Sequence, residues 1–157
     1  MSTTTIAFAV LAFASLEAQT ATQVVRFQVT AINQIGVTGA PAPMVINSAT
    51  AGSAPSSVTA SGGSYAITTN EANKKITASL DAALPNGVRL EVSLAAPEGA
   101  SSAGDVQLST AGADLVTGIS SLAASALPIT YRLSADETVH MPVPATRTVT
   151  FTIVSGS

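Results

Sequence analysis

The chain carries two kinds of hydrophobic pattern, and the change between them falls near residue 22. Residues Ile6 to Leu16 read IAFAVLAFASL, an uncharged apolar run that neither Gly nor Pro interrupts. Its Ala- and Leu-rich composition predicts a helix over residues 5–16. A run of ~11 residues is too short for a bilayer, which takes roughly 20, but it suits the apolar segment of a secretory signal. Residues 1–18 are therefore expected to be a signal peptide, cleaved after Ala18 or Ala14. The opening MSTTT, however, lacks the usual positive charge. A buried first helix of the fold is the other reading of this stretch.

From Gln23 the period becomes two, the period of side chains alternating across a strand. Val25, Phe27, Val29 and Ala31 fall on one face and Arg26, Gln28 and Thr30 on the other; Ile35 to Thr38 makes a second short run. Met44 to Ile46 reads as a short strand after Ala40–Pro43. Residues 47–64, rich in Ser, Ala, Gly and Thr, read as a loop or flexible edge. Alternation returns at Tyr65, Ile67 and Thr69, then at Ile76, Ala78 and Leu80 after a turn at Asn70–Asn73. Pro85-Asn86-Gly87 is the clearest turn and signals a hairpin. Val88, Leu90, Val92 and Leu94 follow as the clearest strand. Val106 and Leu108 suggest a short strand. Leu115, Val116 and Ile119 sit in a less regular segment, read as helical for a turn near 112–118. Ile129, Tyr131 and Leu133, then Val149, Phe151 and Ile153, alternate again.

About eight or nine short strands separated by turns, without alternating helices, predict an all-β fold. The expected form is a single antiparallel β-sandwich over residues 19–157, in which two sheets bury one apolar face of each strand. Hydrophobic residues, at 46 %, supply the core. Aromatics are only 4 % and Trp is absent, so the core is built from Val, Ile, Leu and Ala, with Phe27 and Phe151 expected in it.

Charge changes the picture most. Only 10 % of residues are charged, against roughly 25 % in a typical domain. A surface so sparsely charged repels its neighbours weakly and associates readily. The six basic residues form no stripe, which sets nucleic acid aside. With no Cys, disulfides and thiolate metal sites are excluded.

Candidate chemistry is thin. His140, the lone histidine, lies near Asp136, but no nucleophile elbow accompanies it, and a solvated loop histidine is the better reading. Asp136-Glu137 reads as a solvated turn. Glu98, Asp105 and Asp114 lack the tight carboxylate spacing that calcium needs. Gly62-Gly63 lacks the lysine and helix start of a phosphate loop. Tyr65 and Tyr131 fall on strands and look inward or cross-strand, which leaves little material for the exposed aromatic platform of a sugar binder. No catalytic, cofactor-binding or metal-binding residue and no cofactor is therefore expected, and the chain is not expected to be an enzyme.

The segments Phe27–Ile32, Ser64–Asn70 and Thr148–Ile153, with the signal-like start and the Thr/Ala/Gly-rich body, resemble secreted bacterial surface proteins of fimbrial or pilin-like type, including the DUF4402-like and WxL-like groups. The resemblance spans most of the chain after residue 22. It implies an immunoglobulin-like, pilin-like sandwich and a non-enzymatic structural role in an extracellular filament, pilus or surface layer. Chaperone–usher pilins carry a cysteine pair and a near-terminal Tyr, and this sequence has neither. The expected partners are further copies in a homopolymer or other surface proteins, with no membrane span in the mature form. Residues 22–32 are the candidate donated strand; pairing within their own sheet is the equal alternative. The rival function is a secreted monomeric adhesin or binding module acting through its loops. Mass spectrometry of exported protein is expected to find a mature N-terminus at Gln19 or Ser15; an intact Met1 in exported protein would contradict the signal.

Overall fold

The computed structural model describes residues 19–156. The helix and signal expected within residues 1–18 lie outside the described residues. The described chain is all-β, with nine strands in two antiparallel sheets. The strands are β1 (Asn33–Gly39), β2 (Val58–Thr69), β3 (Lys74–Leu80), β4 (Val88–Leu94), β5 (Ser101–Ser102), β6 (Val106–Gln107), β7 (Ala113–Ile119), β8 (Leu122–Ala135) and β9 (Val149–Ser155). One sheet runs β1-β2-β8-β4-β6 and the other β5-β7-β3-β9. Among the described residues no helix is long and apolar enough to cross a membrane.

Two-residue alternation builds the core. Ile76, Ala78 and Leu80 of β3 are buried while the residues between them are only half-buried. Leu90, Val92 and Leu94 repeat the pattern on β4. Tyr65 and Ile67 of β2, Ile129 and Tyr131 of β8, and Leu115 and Ile119 of β7 join them in one cluster between the sheets. The Tyr65 hydroxyl donates to the Ala95 carbonyl, so the ring is buried with its polar end satisfied. Burial pushes its pKa up to about 12. No buried side-chain polar atom among the described residues lacks a partner.

Several expectations need correction. Residues 19–32 form no strand, and Phe27 is 91 % exposed rather than in the core. The reason is topological: β2, the neighbour of β1, ends at Thr69 opposite Asn33, leaving earlier residues without a sheet to join. Met44 to Ile46 is likewise not a strand. Part of the presumed loop 47–64 is strand, because β2 starts at Val58 and its Ser- and Gly-rich first half is held by β8, with β1 joining on the other side only from Gly63 onward. The segment near 112–118 is β7, not a helical turn. Register shifts against β3 turn both Leu115 and Val116 inward, which hides the alternation.

The Pro85-Asn86-Gly87 turn exists, with Gly87 at φ 80°, but it joins no hairpin, because β3 and β4 lie in different sheets. A Cβ at Gly87 would also strike the Val139 side chain at 2.7 Å, so the position needs glycine for space as well as backbone.

Leu115 is fully buried between the sheets. Leu115→Ala is expected to cost about 2–5 kcal/mol, read as a lower urea midpoint at unchanged slope.

Candidate functional site

The residues that might carry chemistry are scattered. His140 is exposed in the loop after β8, and Asp136 faces Arg89 at 3.9 Å instead. Asp105 lies 3.7 Å from Arg132, and Asp114 lies 3.0 Å from Lys75, so each of these carboxylates faces a cation. Among the described residues no three side chains of metal-ligating type gather. A shallow pocket of about 340 Å³ is bounded by Pro85, Asn86, Arg89, Ser109 and Asp136.

The distinctive feature is the segment that precedes β1. Residues 19–32 run without regular structure and stay exposed throughout. Val25 is 71 %, Phe27 91 % and Val29 77 % exposed. Their spacing puts all three on one face of an extended chain. An exposed Phe between two exposed Val is a large apolar stripe for a soluble surface.

The root of this arm is firmly held. The Asn70 backbone N–H donates to the Ile32 carbonyl at 3.2 Å, continuing the β1–β2 ladder by one residue. Beyond it the Asn70 side chain stands in for the strand that is no longer there. Its Oδ1 accepts the Ile32 N–H and its Nδ2 donates to the Thr30 carbonyl, both at 2.8 Å. Below this clamp the buried Thr69 hydroxyl donates to Asn33 Oδ1 and accepts the Glu71 N–H. Asn33 Nδ2 donates to Glu71 Oε2, which also meets Lys74 Nζ at 2.8 Å, and Lys74 reaches Ser155 Oγ at 3.3 Å. This polar chain ties the start of β1 to the end of β9. The hydrogen bond from Asn33, then that from Lys74, holds the Glu71 carboxyl below the ordinary glutamate range.

β1 and β9 end their respective sheets and lie alongside each other without pairing. Hydrogen-bonded pairs alternate in an antiparallel ladder, so each register shows which groups are left over. On the β9 side, Gly156 bonds Asn73 and Thr148 bonds Asp81, both in register with the β3–β9 pairing. Val154, Thr152 and Thr150 therefore face β3, and the N–H and C=O groups of Val149, Phe151 and Ile153 face the open edge. The Ile32–Asn70 bond fixes β1 in the same way, leaving Asn33, Ile35 and Val37 facing outward. The side chains of Ile35, Val149, Phe151 and Ile153 pack on the core but are only partly covered. The result is a seam that is both apolar and short of backbone partners.

Sequence reasoning singled out the 22–32 segment but missed the seam, which appears only once the strand order is known. No family model, curated protein or solved structure matches the chain.

The Glu71 pair gives a pH signature. A depressed folded-state pKa contributes stability that is complete above the unfolded value and lost as pH falls through the folded one. An NMR titration is expected to place the Glu71 carboxyl midpoint below 4.5, with the Asn33 side-chain amide resonances moving at the same midpoint. A midpoint at or above 4.5 would contradict the contacts at the arm root.

Proposed function

We propose that this chain is a non-enzymatic structural subunit of an extracellular filament, pilus or surface layer, and that its copies join by strand donation from residues 22–32. The observation that supports this most is the exposure of Val25, Phe27 and Val29, at alternate positions of an arm that forms no strand. Such a segment gains hydrogen bonds and apolar burial only by adding to another sheet. Two antiparallel sheets about one aliphatic core, open along one side, suit an immunoglobulin-like, pilin-like sandwich. With cleavage after Ala18, the arm becomes the leading segment of the secreted chain and is free to reach a neighbour.

The surface fits the same role. Lys74, Lys75, Arg89 and Arg132 each face a carboxylate, so little unbalanced charge opposes close packing of copies.

Deleting residues 22–31 is expected to leave the sheets folded, by circular dichroism, and to abolish filaments in negative-stain microscopy. Phe27→Ala is expected to raise the concentration needed for assembly roughly 10- to 100-fold, in line with losing a buried aromatic contact of ~1.5–3 kcal/mol. Regular filaments from the deleted chain would overturn the proposal, and dispersed particles of the full chain that bind glycan or protein would favour a monomeric binding module.

A further inference from the structure

We infer that the pocket beside the turn between β3 and β4 binds a single neutral sugar ring, so that each copy carries a saccharide site on its body, however copies join.

The pocket lies at the far end of the sheet from the arm. Leu122 of β8 pairs with Thr69 beside the arm root, and Ala135 of β8 pairs with Val88 at the pocket. The 14 residues of β8 therefore place roughly 40 Å of strand between the two. Residues 83–89, residues 107–110 and Asp136 meet there, and backbone hydrogen bonds hold them. The Val88 N–H donates to the Pro85 carbonyl at 3.1 Å, the Asp136 N–H to the Gly87 carbonyl at 2.9 Å and the Leu80 N–H to the Ser109 carbonyl at 2.8 Å. The Ser109 hydroxyl accepts the Ala111 N–H at 3.2 Å. Val139 lies so close to Gly87 that a Cβ there would meet it at 2.7 Å, which packs the turn against the loop after β8. A pocket built in advance in this way binds without having to order its own walls.

Size and lining select the ligand. A volume of about 340 Å³ is near the small end of ligand sites and suits one ring. Leu84 and Val88, both half-buried, supply aliphatic surface for the C–H face of such a ring. The polar lining mixes capacities: the Asp136 carboxylate accepts, the Arg89 guanidinium donates, and the Asn86 and Gln107 carboxamides do both. An anion alone meets Asp136, a cation alone meets Arg89, and a hydrocarbon leaves every polar group unmatched. A sugar hydroxyl both donates and accepts, and neighbouring hydroxyls form pairs that a carboxylate or guanidinium takes with both of its arms. Arg89 Nη2 and Asp136 Oδ1 stand 3.9 Å apart with side chains 58 % and 47 % exposed. A zwitterion has to break that pairing, whereas a polyol bridges it.

The test titrates the ¹⁵N-labelled full chain with methyl glycosides of glucose, mannose, galactose and fucose, and with N-acetylglucosamine. Glycine serves as the zwitterionic control. At least one sugar is expected to give saturable amide shifts at Asn86, Gly87, Arg89, Gln107, Ser109 and Asp136, half-complete at roughly 1 mM or above, as suits a site with no aromatic platform. Asp136→Asn keeps the shape and removes the charge; Arg89→Lys keeps the charge and removes the planar fork. Each is expected to weaken binding tenfold or more while the amide resonances of the core stay in place. No saturable shift with any of these sugars, shifts confined to residues away from the pocket, or tighter binding of glycine would overturn the sugar site. So would undiminished affinity in both variants. Deleting residues 22–31 is expected to leave the titration unchanged; a titration lost with the arm would overturn the assignment to this pocket.

Discussion

A strand at the edge of a sheet carries a row of N–H and C=O groups that water satisfies adequately and another strand satisfies better. In this molecule that constraint applies at the two sheet edges and, in another form, at the arm before β1. β1 and β9 present outward-facing backbone groups above partly covered aliphatic side chains. The arm before β1 presents the converse, an apolar face on a segment with no sheet to join. The rest of the structure fixes the two halves in place. The core sets the strand order that leaves the seam open, and the polar cluster around Asn70 and Glu71 anchors the arm at its margin.

The core itself is conventional in its physics. Ile, Leu and Val from both sheets meet around two buried tyrosines, whose large rings compensate for the absence of Trp. A sparsely charged, hydroxyl-rich exterior surrounds it. Lys74, Lys75, Arg89 and Arg132 each sit by a carboxylate, at distances such as 2.7 Å for Arg132 and Glu91, where exposure limits each pair to a modest contribution. The surface therefore does not repel neighbouring copies strongly. In the proposed assembly, interaction energy would come from apolar burial and backbone pairing.

How far the sequence disclosed this depended on whether local alternation coincided with tertiary neighbours. β3, β4 and the second half of β8 were legible because every second residue is apolar and a partner lies on each side. β7 was not, since its shifted register buries Leu115 and Val116 together. The first half of β8 was hidden by its run of small residues and by Ala126, which adopts φ 57° within the strand. Residues 25–31 misled in the opposite direction. Their alternation is as clear as any in the chain, but alternation specifies only a strand that would suit a half-buried site, and the domain provides none. The Asn70 clamp left no mark in the sequence beyond a turn-forming residue, because its function depends on a segment forty residues away meeting it in space.

Hydrogen exchange followed residue by residue, in dilute protein and after assembly, tests the proposed role of the arm most directly. In dilute protein the amides of residues 23–31, together with those of Phe151 and Ile153, should exchange at nearly unprotected rates while Val92 and Ile76 stay protected. If copies join through the arm as proposed, residues 23–31 should become slow on assembly. Protection of the arm already present in the dilute chain, or an assembled state in which it still exchanges freely, would contradict the account.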